Sequence, residues 1–209
     1  MSTATPPLVL AHDAAAPLAL TKAIDGDLEA LPAIGETGRF EAWRAEVAGG
    51  PKREHVVVCV WPDPIPKVPL LEVDEDAWQD RFEAPYLLWN FALGAASRRC
   101  ADGGAIVAVV QAPAALDAPG HTPELAIADG VLALVRSVAA AEGTRGVRAN
   151  LVTTPIGLVE GEIIAPAPPL PGFPGTLETH VAGAVRALLS NDSAGLTGRV
   201  LPADGGRSL

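Results

Sequence analysis

The chain carries little sulfur or aromatic chemistry: two cysteines, one methionine, one tyrosine, and only 4% aromatic residues in all. Cys59 and Cys100 stand apart in apolar stretches, with no CxxC and no histidine-rich tract. That excludes a disulfide scaffold and leaves no structural metal site to expect. Basic residues are also scarce, 15 against 25 acids for a net charge of −10, so nucleic acid is not an expected partner. No apolar run is long enough to span a membrane. The nearest, 131–141, is interrupted by Arg136 and Ser137. The opening MSTATPPLVLAHD has neither a basic start nor a long apolar stretch, so no export signal is read there and a cytoplasmic location is expected. The 21 glycines and 20 prolines follow no period, which excludes collagen-like classes.

What remains is apolar and ordered. The chain is 49% hydrophobic and 19% charged with mean hydropathy +0.27, too apolar for a disordered protein. Its 209 residues suit one domain, 1–209, able to bury roughly 70% of the surface of the unfolded chain.

Apolar runs alternate with helical patterns from end to end. Leu8-Val9-Leu10-Ala11 reads as a strand. Ala14 to Leu31, rich in alanine and leucine with acids at Asp25, Asp27 and Glu29, reads as a helix. A second helical pattern spans Phe40 to Val47 and is closed by Gly49-Gly50-Pro51. His55 to Trp61 is β-branched at nearly every position and suits a strand buried on both faces of a parallel sheet. The proline-broken stretch 62–69 reads as loop, and a helix is expected over 77–99. Ala105 to Val110 is the next buried strand, and 112–123 reads as loop. A long helix follows over 125–142, then a strand over 147–152. A Pro/Gly-rich excursion covers 153–175, a helix 177–189, and a last short strand 199–202. Strands and helices in this alternation predict an α/β fold, a three-layer doubly wound parallel sheet with helices on both faces.

Two helices are apolar nearly all round: Tyr86 to Leu93, and Val131 to Val135. A helix lying on a sheet normally keeps one polar side. The spans 82–98 and 125–140 are therefore expected to form a protein–protein interface, with Leu87, Phe91, Leu132 and Val135 at its centre.

From about residue 53 onward the chain resembles the short-chain dehydrogenases/reductases. Val73-Asp74-Glu75-Asp76-Ala77-Trp78 is similar to the segment before that family's first interface helix, and Gly104-Ala105-Ile106-Val107 to its Gly-x-Ile-Val strand. Leu132-Ala133-Leu134-Val135-Arg136-Ser137 resembles the centre of its long helix. Gly146-Val147-Arg148-Ala149-Asn150 resembles its Gly-Ile-Arg-Val-Asn. The ending is carried by Leu196-Thr197-Gly198-Arg199-Val200-Leu201 and Asp204-Gly205-Gly206. The resemblance implies a Rossmann-like sheet trimmed to about six strands, because there is room for one fewer strand–helix unit between the first strand and Cys59.

It also implies where a catalytic tetrad would lie. The asparagine position falls on Pro85, the serine on Gln111, the tyrosine on Glu124 and the lysine on Ala128. In the family the tyrosine hydroxyl is the acid–base, its pKa lowered by the lysine cation, and the serine holds the substrate oxygen. Here all four are replaced, and Tyr86 is the only tyrosine in the chain. The cofactor positions depart from the pattern as well. The glycine-rich loop after the first strand becomes His12-Asp13-Ala14-Ala15-Ala16-Pro17, with no glycine before Gly26. The Asn-Asn-Ala-Gly segment becomes Cys59-Val60-Trp61-Pro62, and the Pro-Gly after Asn150 becomes Thr154-Pro155.

The resemblance with these replacements implies a pseudoenzyme: a structural or regulatory subunit, homo-oligomeric or paired with an active paralogue, with no cofactor and no metal expected. Two other readings stay open. One is an NAD- or NADP-dependent oxidoreductase with an atypical site, or an enzyme using a new grouping of His121, Glu124, Asp117 and Asp129. The other is a small-molecule binding module using the vacated cleft. His12, His55 and His180 are scattered, and Trp43, Trp61, Trp78 and Trp89 are expected in packing.

Overall fold

A computed structural model describes residues 5–62, 66–114, 117–158 and 175–207. The expected loops over 62–69, 112–123 and 153–175 lie partly outside the described residues. The ordered elements are β1 (Leu8–Ala11), α1 (Ala15–Ala23), β2 (Asp27–Ala30), α2 (Phe40–Ala48), β3 (Arg53–Cys59), α3 (Glu75–Trp78), α4 (Ala84–Arg99), β4 (Cys100–Gln111), α5 (Thr122–Glu142), β5 (Arg148–Thr154), α6 (Ala182–Leu189) and β6 (Val200–Pro202). The six strands form one parallel sheet in the order β2-β1-β3-β4-β5-β6.

The strands' side chains alternate between two cores, as a period of two requires. Leu8, Leu10, Val56, Val58, Ile106 and Val110 pack under α2, α4 and α5. Val9, Ala11, Val57, Cys59, Val107 and Val109 pack under α1 and α6. Neither face of the central strands meets water, which is why they read as unbroken apolar runs. No helix among the described residues is long and apolar enough to cross a membrane.

The expected helix over 14–31 is corrected. α1 stops at Ala23, the chain turns through Asp25 at φ 53° and Gly26, and 27–30 form the edge strand β2. A side chain at Gly26 would meet the Cγ2 of Val9 at 2.6 Å, so the turn is tight against β1. The acids read as helical belong to the edge strand. Asp27 pairs with Arg53 at 3.1 Å and Glu29 with the buried Arg99 at 2.7 Å. The strand exists because β1 offers it a hydrogen-bonding edge and remote arginines hold its carboxylates. A local pattern carries neither fact.

The motif residues of the second half act as fasteners. Asn150 is wholly buried; its amide donates to the Leu196 carbonyl at 2.8 Å and its oxygen accepts the Arg199 N–H at 3.0 Å, docking the chain into β6. Arg148 forks onto the end of α6, donating to the carbonyls of Leu188, Leu189, Ser190 and Ser193 at 2.7–3.2 Å. The Leu188 and Leu189 carbonyls are among the orphan acceptors that every helix end leaves. Arg148→Met is therefore expected to lower unfolding stability by about 3 kcal/mol in urea titration. Arg148→Lys should recover only part of this, because an ammonium cannot reproduce the fork.

Candidate functional site

The carboxyl ends of β1, β3 and β4 open on one edge of the sheet. β1 is flanked by β2 on one side and β3 on the other, so the chain reverses direction across the sheet there. Crevices at such reversals are where α/β folds bind ligands. Two spaces lie at this edge. The outer one is an open cleft of about 540 Å³ whose lining includes His12, Asp13, Leu31, Ile34, Trp61 and Asp80. The inner one is a cavity of about 20 Å³ lined by Pro85, Gln111 and Glu124 among others. Pro62 borders both, so the segment 60–62 is the wall between them.

Trp61 pins that wall. Its indole N–H donates to the Val109 carbonyl on β4 at 2.9 Å, and its backbone N–H donates to His12 Nδ1 at 3.3 Å. Cys59, the last residue of β3, is wholly buried, and burial pushes its thiol far above the ordinary range, so it is no nucleophile. Thr154 is equally buried at the end of β5, its hydroxyl accepting the Ile156 N–H at 3.4 Å. Of the five expected cofactor positions, His12, Asp13 and Trp61 reach the cleft; Cys59 and Thr154 are absent from its lining.

The four positions where the resemblance implies a tetrad also divide. Pro85 in the first turn of α4, Gln111 at the end of β4 and Glu124 in the first turn of α5 meet at the inner cavity. Ala128 lies one turn further along α5 and is buried there. The Gln111 amide donates to the Ile156 carbonyl at 3.3 Å.

Glu124 has a partner that no local pattern assigns. Arg81, in the π turn between α3 and α4, is 4% exposed and holds Glu124 Oε1 through both Nε (3.1 Å) and Nη2 (2.8 Å). His121 lies on the far oxygen, its Nδ1 3.6 Å from Oε2, too long for a hydrogen bond. Burial would push the Glu124 carboxyl up, but the neighbouring imidazole and the guanidinium outweigh it and hold the group below the usual carboxylate range. A carboxylate so held is an anion that neither donates a proton at neutral pH nor accepts one readily. Nothing in the spacing of 81 and 124 reveals the pair; it is made by α4 packing on α5.

The other members of the expected acid–base grouping disperse. Asp117 is buried against Arg207 at 2.6 Å, and Asp129 is exposed on α5. No cluster of metal-ligating side chains occurs among the described residues.

The interface residues need one correction. Val135 is fully buried in the core beneath α5 and belongs to no outer surface. Leu87 is 42% exposed, while Phe91 and Leu132 are half-buried. Much of the apolar circumference of α4 is spent inside the subunit. Phe91 meets Phe40 of α2 edge-on, with ring centroids 6.2 Å apart. Tyr86 lies on Gly130 of α5, where any added Cβ would be 2.5 Å from its ring.

No family model and no curated protein matches the chain. Solved structures do. A short-chain dehydrogenase/reductase from Serratia marcescens aligns over 98% of both chains with TM-score 0.70 at 17% identity. A blue fluorescent protein from a metagenomic library, solved with NADPH, covers 97% of this chain and 98% of its own at 20% identity, with TM-score 0.75. The chain has the short-chain dehydrogenase/reductase fold.

Within that fold the residues at the cleft do not fit a dinucleotide. A pyrophosphate needs backbone N–H groups at a helix N-terminus and no competing anion. Here Asp13 and Asp80 put carboxylates on the lining, and the described lining holds no lysine or arginine. Pro17 removes an N–H donor from the first turn of α1. The wall at 60–62 then separates the cleft from Gln111 and Glu124.

Arg81→Met is expected to cost about 3–5 kcal/mol in urea unfolding, because it leaves a buried carboxylate unpaired. Adding Glu124→Leu should return most of that loss. The Glu124 carboxyl is depressed in the folded state, so its contribution is complete above the unfolded value of about 4.3 and fades as pH falls below it. The double variant should show a shallower acid limb in stability measured against pH.

Proposed function

We propose that this chain is a non-catalytic protein of the short-chain dehydrogenase/reductase type, acting as a structural or regulatory subunit. It self-associates, or pairs with an active paralogue, through the outer sides of α4 and α5. The observation that carries this reading is Glu124. The position where the family resemblance implies a proton-donating tyrosine holds a carboxylate clamped by Arg81. The lysine position is the buried Ala128, which brings no charge to lower any neighbour's pKa. The exposed Leu87 and the half-buried Leu132 are among the apolar side chains available to a partner helix.

A chain of this kind has no need to hold nicotinamide cofactor. Titration with NAD(H) and NADP(H), followed by tryptophan fluorescence and melting temperature together, is expected to give no saturable response up to about 5 mM. Binding tighter than about 1 mM, worth about 4 kcal/mol, would overturn the reading in favour of an atypical oxidoreductase. Native mass measurement should find an assembly larger than the 21.4 kDa chain. Recovery of the monomer alone, at native abundance and from the native host, would remove the subunit role.

A second reading, a small-molecule binding module, is favoured by one observation: the outer cleft is open.

A further inference from the structure

We infer that the outer cleft is a binding site for a small organic cation, an amine attached to an apolar body. The inference rests on the reading that this cleft no longer takes a dinucleotide, and it supplies the ligand class that reading lacks.

Three features point the same way. The first is position and size: the cleft sits at the reversal point of the sheet, and its volume of about 540 Å³ lies within the range of small-molecule sites. The second is its wall. Leu31 and Ile34 follow β2 and Trp61 follows β3; Leu31 and Trp61 are largely buried in the cores and show only an edge, so the half-buried Ile34 is the main apolar contact for a ligand body. The third is charge. Asp13 comes from the loop after β1 and Asp80 from the π turn before α4, so two separate elements bring carboxylates to one cleft. Neither carboxylate forms a hydrogen bond or an ion pair within the described residues, unlike Asp27, Glu36 and Asp102, which pair with Arg53, Arg39 and Arg145. Among the described residues no lysine or arginine is paired with either carboxylate for an incoming ammonium to displace, whereas an incoming anion meets two negative charges.

The wall at the inner side sets the ligand's fate. The wall at 60–62 keeps a molecule in the outer cleft from Gln111 and Glu124, so binding proceeds without turnover. The ligand is held by charge at the rim and by apolar contact at the wall, and the two contributions can be separated by isosteres.

The test is calorimetric titration of the full chain at physiological salt with phenethylamine, its neutral isostere phenethyl alcohol, and the anion phenylpropionate. Phenethylamine is expected to saturate a single site about tenfold more tightly than the alcohol, and phenylpropionate to give no signal. Asp13→Asn and Asp80→Asn should each weaken the amine about five-fold with melting temperature unchanged, since both side chains are exposed. Equal affinity for amine and alcohol would overturn the proposal. So would no amine binding up to about 10 mM. Amine binding indifferent to both asparagine variants would overturn it too, because diffuse attraction to a chain of net charge −10 would then suffice. NADPH binding in the same cell would sink the non-catalytic reading beneath it, whereas failure of the amine alone leaves that reading standing.

Discussion

Everything in this molecule is organised by the need to keep both faces of a parallel sheet dry. Val9 and Leu10 point to opposite faces of β1 and neither meets solvent; Val57 and Val58 do the same on β3. Parallel strands cannot be joined by tight turns, so each connection crosses a face as a helix, and the helices are what cover the apolar side chains. The same geometry brings all the strands' carboxyl ends to one edge. His12, Ile34 and Trp61 follow three different strands and still line one cleft. The site is a consequence of the crossover rule before it is a consequence of any single side chain.

Burial on this scale leaves polar groups to be satisfied at the periphery, and arginine does most of that. Arg148 closes the carbonyl end of α6, Arg99 joins β2 to the Val47 and Pro51 carbonyls, and Arg81 holds α5 against the start of α4. Desolvating such ions is costly, and hydrophobic replacements often serve stability equally well. Their guanidinium forks do fix relative positions, since the fork matches a carboxylate or paired carbonyls in one arrangement. At Glu124 this has a chemical consequence. The interaction that positions α5 also removes the carboxylate from proton transfer.

Five strands and the helices after β3 were legible in the residues, because those elements are mostly apolar runs or helical patterns bounded by glycine or proline. β2 was not. Its four residues, Asp-Leu-Glu-Ala, have no strand pattern of their own and become a strand only beside β1. The all-round apolar character of α4 was visible, but its cause was not. Phe91 and Tyr86 are used by α2 and α5, and Val135 faces the core, so only part of the surface that looked available to a partner is open.

The residues alone determined the class of fold, since the alternation of apolar runs and helical patterns depends only on residue type and order along the chain. Tertiary structure decided that Glu124 is paired with Arg81, that segment 60–62 walls the inner cavity off from the cleft, and that Asp13 and Asp80 share one lining. The physical reason is distance along the chain. Local pattern sets which face of an element is apolar. Which charge meets which, forty or more residues apart, is set only when the helices pack across the sheet.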